Sequence, residues 1–256
     1  MQPSDLARQL QENIASVIIG KHNAVELMLV ALLCDGHVLL EDVPGIGKTT
    51  LAKALARSID CSFARIQFTP DLLPSDVTGI NYFNQKLQEF QFRLGPVFRQ
   101  IVLGDEINRA TPRTQASLLE AMGEKQVTID GETMALPNPF LVIATQNPIE
   151  LEGTFPLPEA QLDRFLLQIA LGYPTIEEEE EILVRYERQD PLAELRPVTD
   201  AATIVALQQQ VRTVHLNEDI RRYILTIVRH TRDHASVQLG VSPRGTLALY
   251  RTSQAL

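Results

Sequence analysis

Leu39–Leu51 reads LLEDVPGIGKTTL. An apolar strand runs into a loop with two glycines, and the loop closes on Gly47, Lys48 and Thr49 as a helix opens. Each residue type answers a demand of phosphate chemistry. Glycine lets successive backbone N–H groups turn toward an anion, the Lys48 ammonium reaches the β and γ phosphates, and the Thr49 hydroxyl stands at the positive end of a helix, where it would ligate Mg²⁺. The stretch Val43, Pro44, Gly45, Ile46, Gly47, Lys48, Thr49 and Thr50 is therefore the candidate phosphate-binding loop. The usual G-x-x-x-x-G-K-[ST] pattern puts glycine at position 42, and this chain has Asp42. A carboxylate there is suited to bracing the loop and should not face the phosphates.

Three further strand-like runs carry polar residues at their ends. Ile101–Gly104 leads into Asp105 and Glu106, which places two carboxylates at the carboxyl edge of a parallel sheet, beside a phosphate loop. Asp105 would hold Mg²⁺ through water, and Glu106 would orient and deprotonate the water that attacks the γ phosphate. Phe140–Thr145 leads into Gln146 and Asn147; an amide at that point can bond both the γ phosphate and the attacking water, although an Asn before Pro148 also suits a plain turn. The run Phe165–Leu171 follows Asp163 and Arg164, and Arg164 has local acids in Asp163 and Glu159 with which to pair. Near the end of the chain, Ser242 reads as an N-cap and Pro243 as the first helical residue. Arg244 then falls in the first turn, where a lone cation opposes the helix dipole unless it meets an anion such as a phosphate.

These blocks resemble the MoxR group of AAA+ ATPases. The resemblance rests on VIIG at Val17–Gly20, LLEDVPGIGKTTLAKALA at Leu39–Ala56 and DEINRATPRTQASLLEAMGEKQVTIDG at Asp105–Gly131, together with ATQNPIELEGTFPLPEAQLDRF at Ala144–Phe165 and GVSPR at Gly240–Arg244. It implies that Lys48 and Thr49 belong to Walker A, Asp105 and Glu106 to Walker B, Asn147 to sensor one, Arg164 to a trans-acting arginine finger and Arg244 to sensor two. It also implies that Ile18, Ile19 and Gly20 touch the adenine. Asp42 then reads as the family's own variant.

Composition is compatible with this and excludes other classes. At 256 residues and 45% hydrophobic content the chain can bury a large core, and a formal net charge of -9 argues against a protein that grips nucleic acid through overall charge. Cys34 and Cys61 have no metal-type spacing and read as reduced core residues, while His230 and His234 have the spacing of a helical zinc pair without its glutamate and read as solvated. No apolar run is long enough for a membrane span, and the polar start MQPSDLARQLQEN is no signal peptide, so the expected location is the cytoplasm.

Along the chain, a helix capped near Ser4 precedes a second one through Val25, Leu29 and Leu32. Strands and helices then alternate, which predicts an α/β AAA+ P-loop fold: a parallel sheet flanked by helices, with a C-terminal helical lid. The expected organisation is a nucleotide-binding core over residues 1–172 and an incomplete lid over 173–256, the joint falling at Gly172 and Pro174. The chain ends inside a helical pattern, which suggests either a fragment or a short lid. Two hairpins interrupt the alternation, at Tyr82–Leu94 and at Gln126–Leu136 with its turn at Asp130 and Gly131. By resemblance they are the helix-two insert and the presensor-one hairpin, directed at a pore or a client. As plain structure they cover a sheet edge.

The functional expectation is an ATPase with ATP and Mg²⁺ as cofactors, assembled as a homo-oligomeric, hexameric ring that remodels a client complex. The resemblance adds an adaptor with a von Willebrand factor A domain as partner, and no direct membrane insertion. A nucleotide-dependent scaffold with little turnover and a DNA-directed motor are the alternatives.

Overall fold

Leu6, Leu10 and Ile14 recur at helical spacing and are buried along one side of helix α1, Pro3–Ala15. The computed structural model describes residues 3–148, 153–187 and 190–256; Ile149–Glu152 of the quoted ATQNPIELEG stretch lie outside the described residues. Ser4 falls inside the first turn of α1 and does not cap it. The helix already runs from Pro3, a residue whose missing N–H and fixed φ suit a first turn. Helix α2, His22–Leu33, buries Ala24, Val25 and Met28–Leu32, and is apolar almost all round.

Strand β1 (Val38–Glu41) leads through the phosphate loop to α3 (Lys48–Ser58), then come β2 (Phe63–Gln67), the short α4 (Pro74–Thr78) and a hairpin of β3 (Gly79–Asn84) with β4 (Glu89–Leu94). Strand β5 (Ile101–Asp105) and α5 (Pro112–Glu124) precede a second hairpin, β6 (Gln126–Ile129) with β7 (Glu132–Ala135). After β8 (Leu141–Gln146), α6 (Glu159–Leu162) and β9 (Leu167–Ile169), the chain continues as α7 (Ile176–Tyr186), α8 (Pro191–Glu194), α9 (Ala201–Val211), α10 (Glu218–Asp233) and α11 (Pro243–Ala255). Both expected hairpins are present, the second turning through Asp130 and Gly131 at positive φ.

Among the described residues the main sheet has five strands in the order β2-β5-β8-β1-β9, all parallel. Alternate residues serve opposite faces. Val38 and Leu40, Ile101 and Leu103, and Leu141 and Ile143 join α1, α2 and α3, whereas Leu39, Val102, Val142 and Ala144 pack with Leu118, Leu119 and Met122 of α5. Leu195, Ile204 and Leu207 belong to the first of these clusters, so that core continues past the Gly172 joint.

The expected strand Phe165–Leu171 is shorter than its apolar run, for a physical reason. At its start, Leu166 and Leu167 share the carbonyl of His37, and at its end the Leu171 N–H goes to the Asp42 carboxylate in place of a ladder partner.

Candidate functional site

Gly47 adopts φ 90° and hands the loop to α3, whose first helical residue is Lys48. A side chain would strain that backbone. The Lys48 ammonium donates to the backbone carbonyl of Asp42 at 2.8 Å, and burial lowers its pKa while Asp105, Asp42 and Glu106, in that order, pull it back up. The carboxylate of Asp42 faces away, accepting the N–H groups of Leu171 and, at 3.0 Å, Gly172. It braces the loop against the end of β9.

Asp105 ends β5, and both its oxygens have donors. Oδ1 accepts the Thr145 hydroxyl at 2.7 Å, and Oδ2 accepts Arg65 Nε at 3.1 Å and Nη2 at 2.7 Å. Glu106 sits at φ 57° and ψ 50°, a left-handed conformation that costs a non-glycine residue about 1 kcal/mol or more. Its N–H donates to Thr145 Oγ1 at 2.9 Å, and its Oε2 accepts Gln67 at 2.8 Å and Arg109 at 3.2 Å. Thr145, fully buried at the end of β8, thus orients both acids. Asn147, two residues on, is buried beside them in sequence.

The donor set suits Mg²⁺. Among the described residues no cluster of three or more His, Cys, Asp or Glu would cage a metal, whereas one hydroxyl (Thr49) and one carboxylate (Asp105) match an ion that keeps most of its waters and borrows phosphate oxygens.

A cavity of about 570 Å³ opens beside the loop, lined by Val17, Ile18, Ile19, Pro44, Gly45, Ile46, Gly47 and Thr50, by Tyr173 and Pro174 before α7, and by Ile182, Leu183 and Tyr186 of α7, with Lys21 and Glu179 as its charged members. Its mostly apolar walls suit a purine ring. Gly20, expected at the adenine, is not part of the lining; it adopts φ 72°, and a Cβ there would overlap the Glu178 carboxylate. Val43, Lys48 and Thr49 are not part of this lining.

The family model described as "ATPase family associated with various cellular activities (AAA)" matches residues 37–167. The chain is 42% identical to "Chaperone MoxR1" of Mycobacterium tuberculosis, over 95% of this chain and 66% of that protein, and 32% identical to "Protein MoxR" of Paracoccus denitrificans, over 97% and 80%. It belongs to the MoxR family of AAA+ ATPases. An uncharacterised protein of Bacillus subtilis is 55% identical over 95% of this chain and 76% of its own length. The crystal structure of a candidate ATPase from Cytophaga hutchinsonii superposes with a TM-score of 0.91 at 38% identity, covering 99% of this chain and 79% of the other.

In this MoxR-family chain the two candidate arginines stand elsewhere. Arg164 and Arg244 line a second cavity, of about 840 Å³, bounded by the end of α5, the start of β9, α10 and α11; neither lines the cavity by the phosphate loop. Arg164 Nη1 donates to the Leu119 carbonyl at 2.7 Å and lies over Gly123, where a Cβ would stand 2.5 Å from it. Neither local acid takes it. Asp163 accepts the Ser242 hydroxyl at 2.7 Å instead, tying the N-cap of α11 to the start of β9. Among the described residues neither Arg164 nor Arg244 has an ion-pair partner.

Sequence reading missed Arg65, Gln67 and Thr145, and the α7 wall of the first cavity. The signal for the first two was there: polar residues alternating with buried Ile66 on a strand that runs beside the one ending in Asp105.

Proposed function

We propose that this protein binds ATP with Mg²⁺ and hydrolyses it in a ring of identical subunits, most simply a hexamer, using the cycle to remodel a client protein complex. The carrying observation is the convergence of Lys48, Asp105 and Glu106 at the carboxyl edge of the parallel sheet, with Asp105 the foremost acid acting on the Lys48 charge.

Lys48 and the loop N–H groups would balance the phosphates. Thr49 and Asp105 would hold Mg²⁺, which when bound neutralises charge on the β and γ phosphates. Glu106 orients and deprotonates water, and Asn147 bonds that water and the γ phosphate. Val17, Ile18, Ile19, Ile46 and the residues of α7 enclose the base. Residues 173–256 act as the lid.

Arg164 and Arg244 fit the nucleotide of a neighbouring subunit. Among the described residues, three arginines that line this one cavity, Arg164, Arg244 and Arg251, have no ion-pair partner; the cavity stands apart from the chain's own phosphate loop, and an anion brought by a second copy would complete it. This differs from a sensor-two arginine closing over its own nucleotide. Both hairpins would face the client, the first of them, β3–β4, with exposed Tyr82, Phe83, Leu87 and Phe90, and the name of the mycobacterial relative supports a chaperone role. An adaptor with a von Willebrand factor A domain and a cytoplasmic location complete the proposal.

The test is Glu106→Gln, assayed for ATP binding, phosphate release and captured partners. Retained ATP with lost hydrolysis and stabilised client complexes supports the reading. A variant with unchanged turnover would rule out Glu106 as the base.

A further inference from the structure

Strand β2 forms one edge of the sheet, and its side chains divide by face. Ile66 enters the core, while Arg65 and Gln67 emerge together beside the end of β5, in a register that sets Gln67 opposite Asp105. Arg65 gives Nε and Nη2 to the single oxygen Asp105 Oδ2, at 3.1 and 2.7 Å, and Nη2 also reaches Gln67 Oε1 at 2.6 Å. For Asp105 to turn and offer its other oxygen it would have to give up the Thr145 hydroxyl, which holds Oδ1.

The pair is asymmetric in exposure. The Asp105 side chain is 14% exposed and that of Arg65 is 47% exposed, so the carboxylate is fixed while the guanidinium has water to retreat into. A hydrated Mg²⁺ held by Asp105 would draw on the same lone pairs and set a dication beside a guanidinium. We propose that Arg65 is the resident counter-ion of Asp105 and competes with Mg²⁺ for its Oδ2, so that it sets how strongly the metal promotes nucleotide binding. This rests on the reading of Asp105 as the metal-holding carboxylate.

Two effects of Arg65 act in one direction. With the metal chelated, Arg65 screens the Asp105 charge from the triphosphate and supports ATP binding. With the metal present, the same contact must be given up. Removing the cation should weaken metal-free binding and strengthen the metal's contribution.

The experiment is calorimetric titration of the full chain with a non-hydrolysable ATP analogue, in EDTA and across a range of Mg²⁺ concentrations. For Arg65→Gln, the ratio of affinity at saturating Mg²⁺ to affinity in EDTA should rise about two- to five-fold, the worth of one half-exposed ion pair. Arg65→Lys, which keeps the charge, should stay nearer the parent. A ratio that is unchanged or falls in Arg65→Gln, with the parent's circular dichroism, overturns the proposal, as do equal effects of Lys and Gln. Asp105→Asn separates the two levels. If Mg²⁺ still promotes binding in that variant as in the parent, the metal assignment fails and takes the inference with it. If Asp105→Asn loses the Mg²⁺ effect while Arg65→Gln does not raise it, the counter-ion role alone fails.

Discussion

The Asp42 carboxylate accepts the backbone N–H of Gly172 at 3.0 Å, binding the start of the phosphate loop to the joint that precedes α7. The same oxygen takes the N–H of Leu171. The residue that departs from the glycine of the usual loop pattern therefore closes the edge of the sheet. It also connects the nucleotide loop with α7, which walls the apolar cavity.

Asp42→Gly would restore the familiar pattern and yet destabilise the protein, because two N–H groups lose their acceptor. The expected loss is about 1–3 kcal/mol in urea unfolding, with Asp42→Asn, which keeps one acceptor oxygen, falling between. A change under about 0.5 kcal/mol would show that water replaces the carboxylate without cost.

Lys48→Ala removes an ammonium that the loop half-buries and leaves the fold, since its bond within the chain is to a carbonyl at 2.8 Å. ATP affinity should drop on the order of 10- to 100-fold, the worth of a charge-assisted bond or two, and turnover should vanish. Near-normal affinity in fluorescence titration would count against the phosphate loop as assigned.

Much of this architecture was legible because it is written in local chemistry. The loop needs its glycines and Lys48, α11 begins where Ser242 caps the Gly245 N–H and Pro243 follows, and the Glu-rich run starts α7 through the Thr175–Glu178 capping box. The sheet's alternation put Leu39 and Leu40 on opposite faces as the period requires. What stayed hidden depends on pairing across the chain. Strand order decides that Arg65 meets Asp105, 40 positions away, and packing of α11 against α10 decides that Arg244 shares a cavity with Arg164 and not with Lys48. No spacing in one strand or helix encodes either meeting.

His37 offers a stability signature outside the site. Its Nδ1 accepts the Val142 N–H at 3.0 Å, so Nε2 carries the proton and donates to the Met122 carbonyl at 3.1 Å. Burial pushes its pKa from 6.5 down to about 4. The folded state therefore disfavours the charged ring that the unfolded chain accepts below pH 6.5, so this contribution is intact above pH 6.5 and is lost as the pH falls toward 4. About 3 kcal/mol is at stake over the full window. Denaturant unfolding at pH 7 and pH 5 should show the parent losing more stability than His37→Gln; equal losses would assign the slope to other groups.

Arg164 and Arg244 sharing one cavity leads to a test by mixed subunits. If both serve a neighbour's nucleotide, Arg164→Ala or Arg244→Ala subunits should bind ATP, yet hydrolyse far less. Arginine fingers in related phosphoryl transfer contribute on the order of 10³ to 10⁵ in rate. Mixing either variant with Lys48→Ala subunits should restore turnover, since an intact Lys48 site then meets a neighbour with both arginines. Mixing Arg164→Ala with Arg244→Ala is the decisive pairing. With both residues acting on the neighbour, every site in such a ring lacks one of them and activity stays low at all ratios. Were Arg244 to act within its own subunit, an Arg164→Ala subunit would keep its own Arg244 and borrow Arg164 from its partner. Recovery in that mixture, measured as ATPase rate against mixing ratio under subunit exchange, would move Arg244 back over its own phosphate loop.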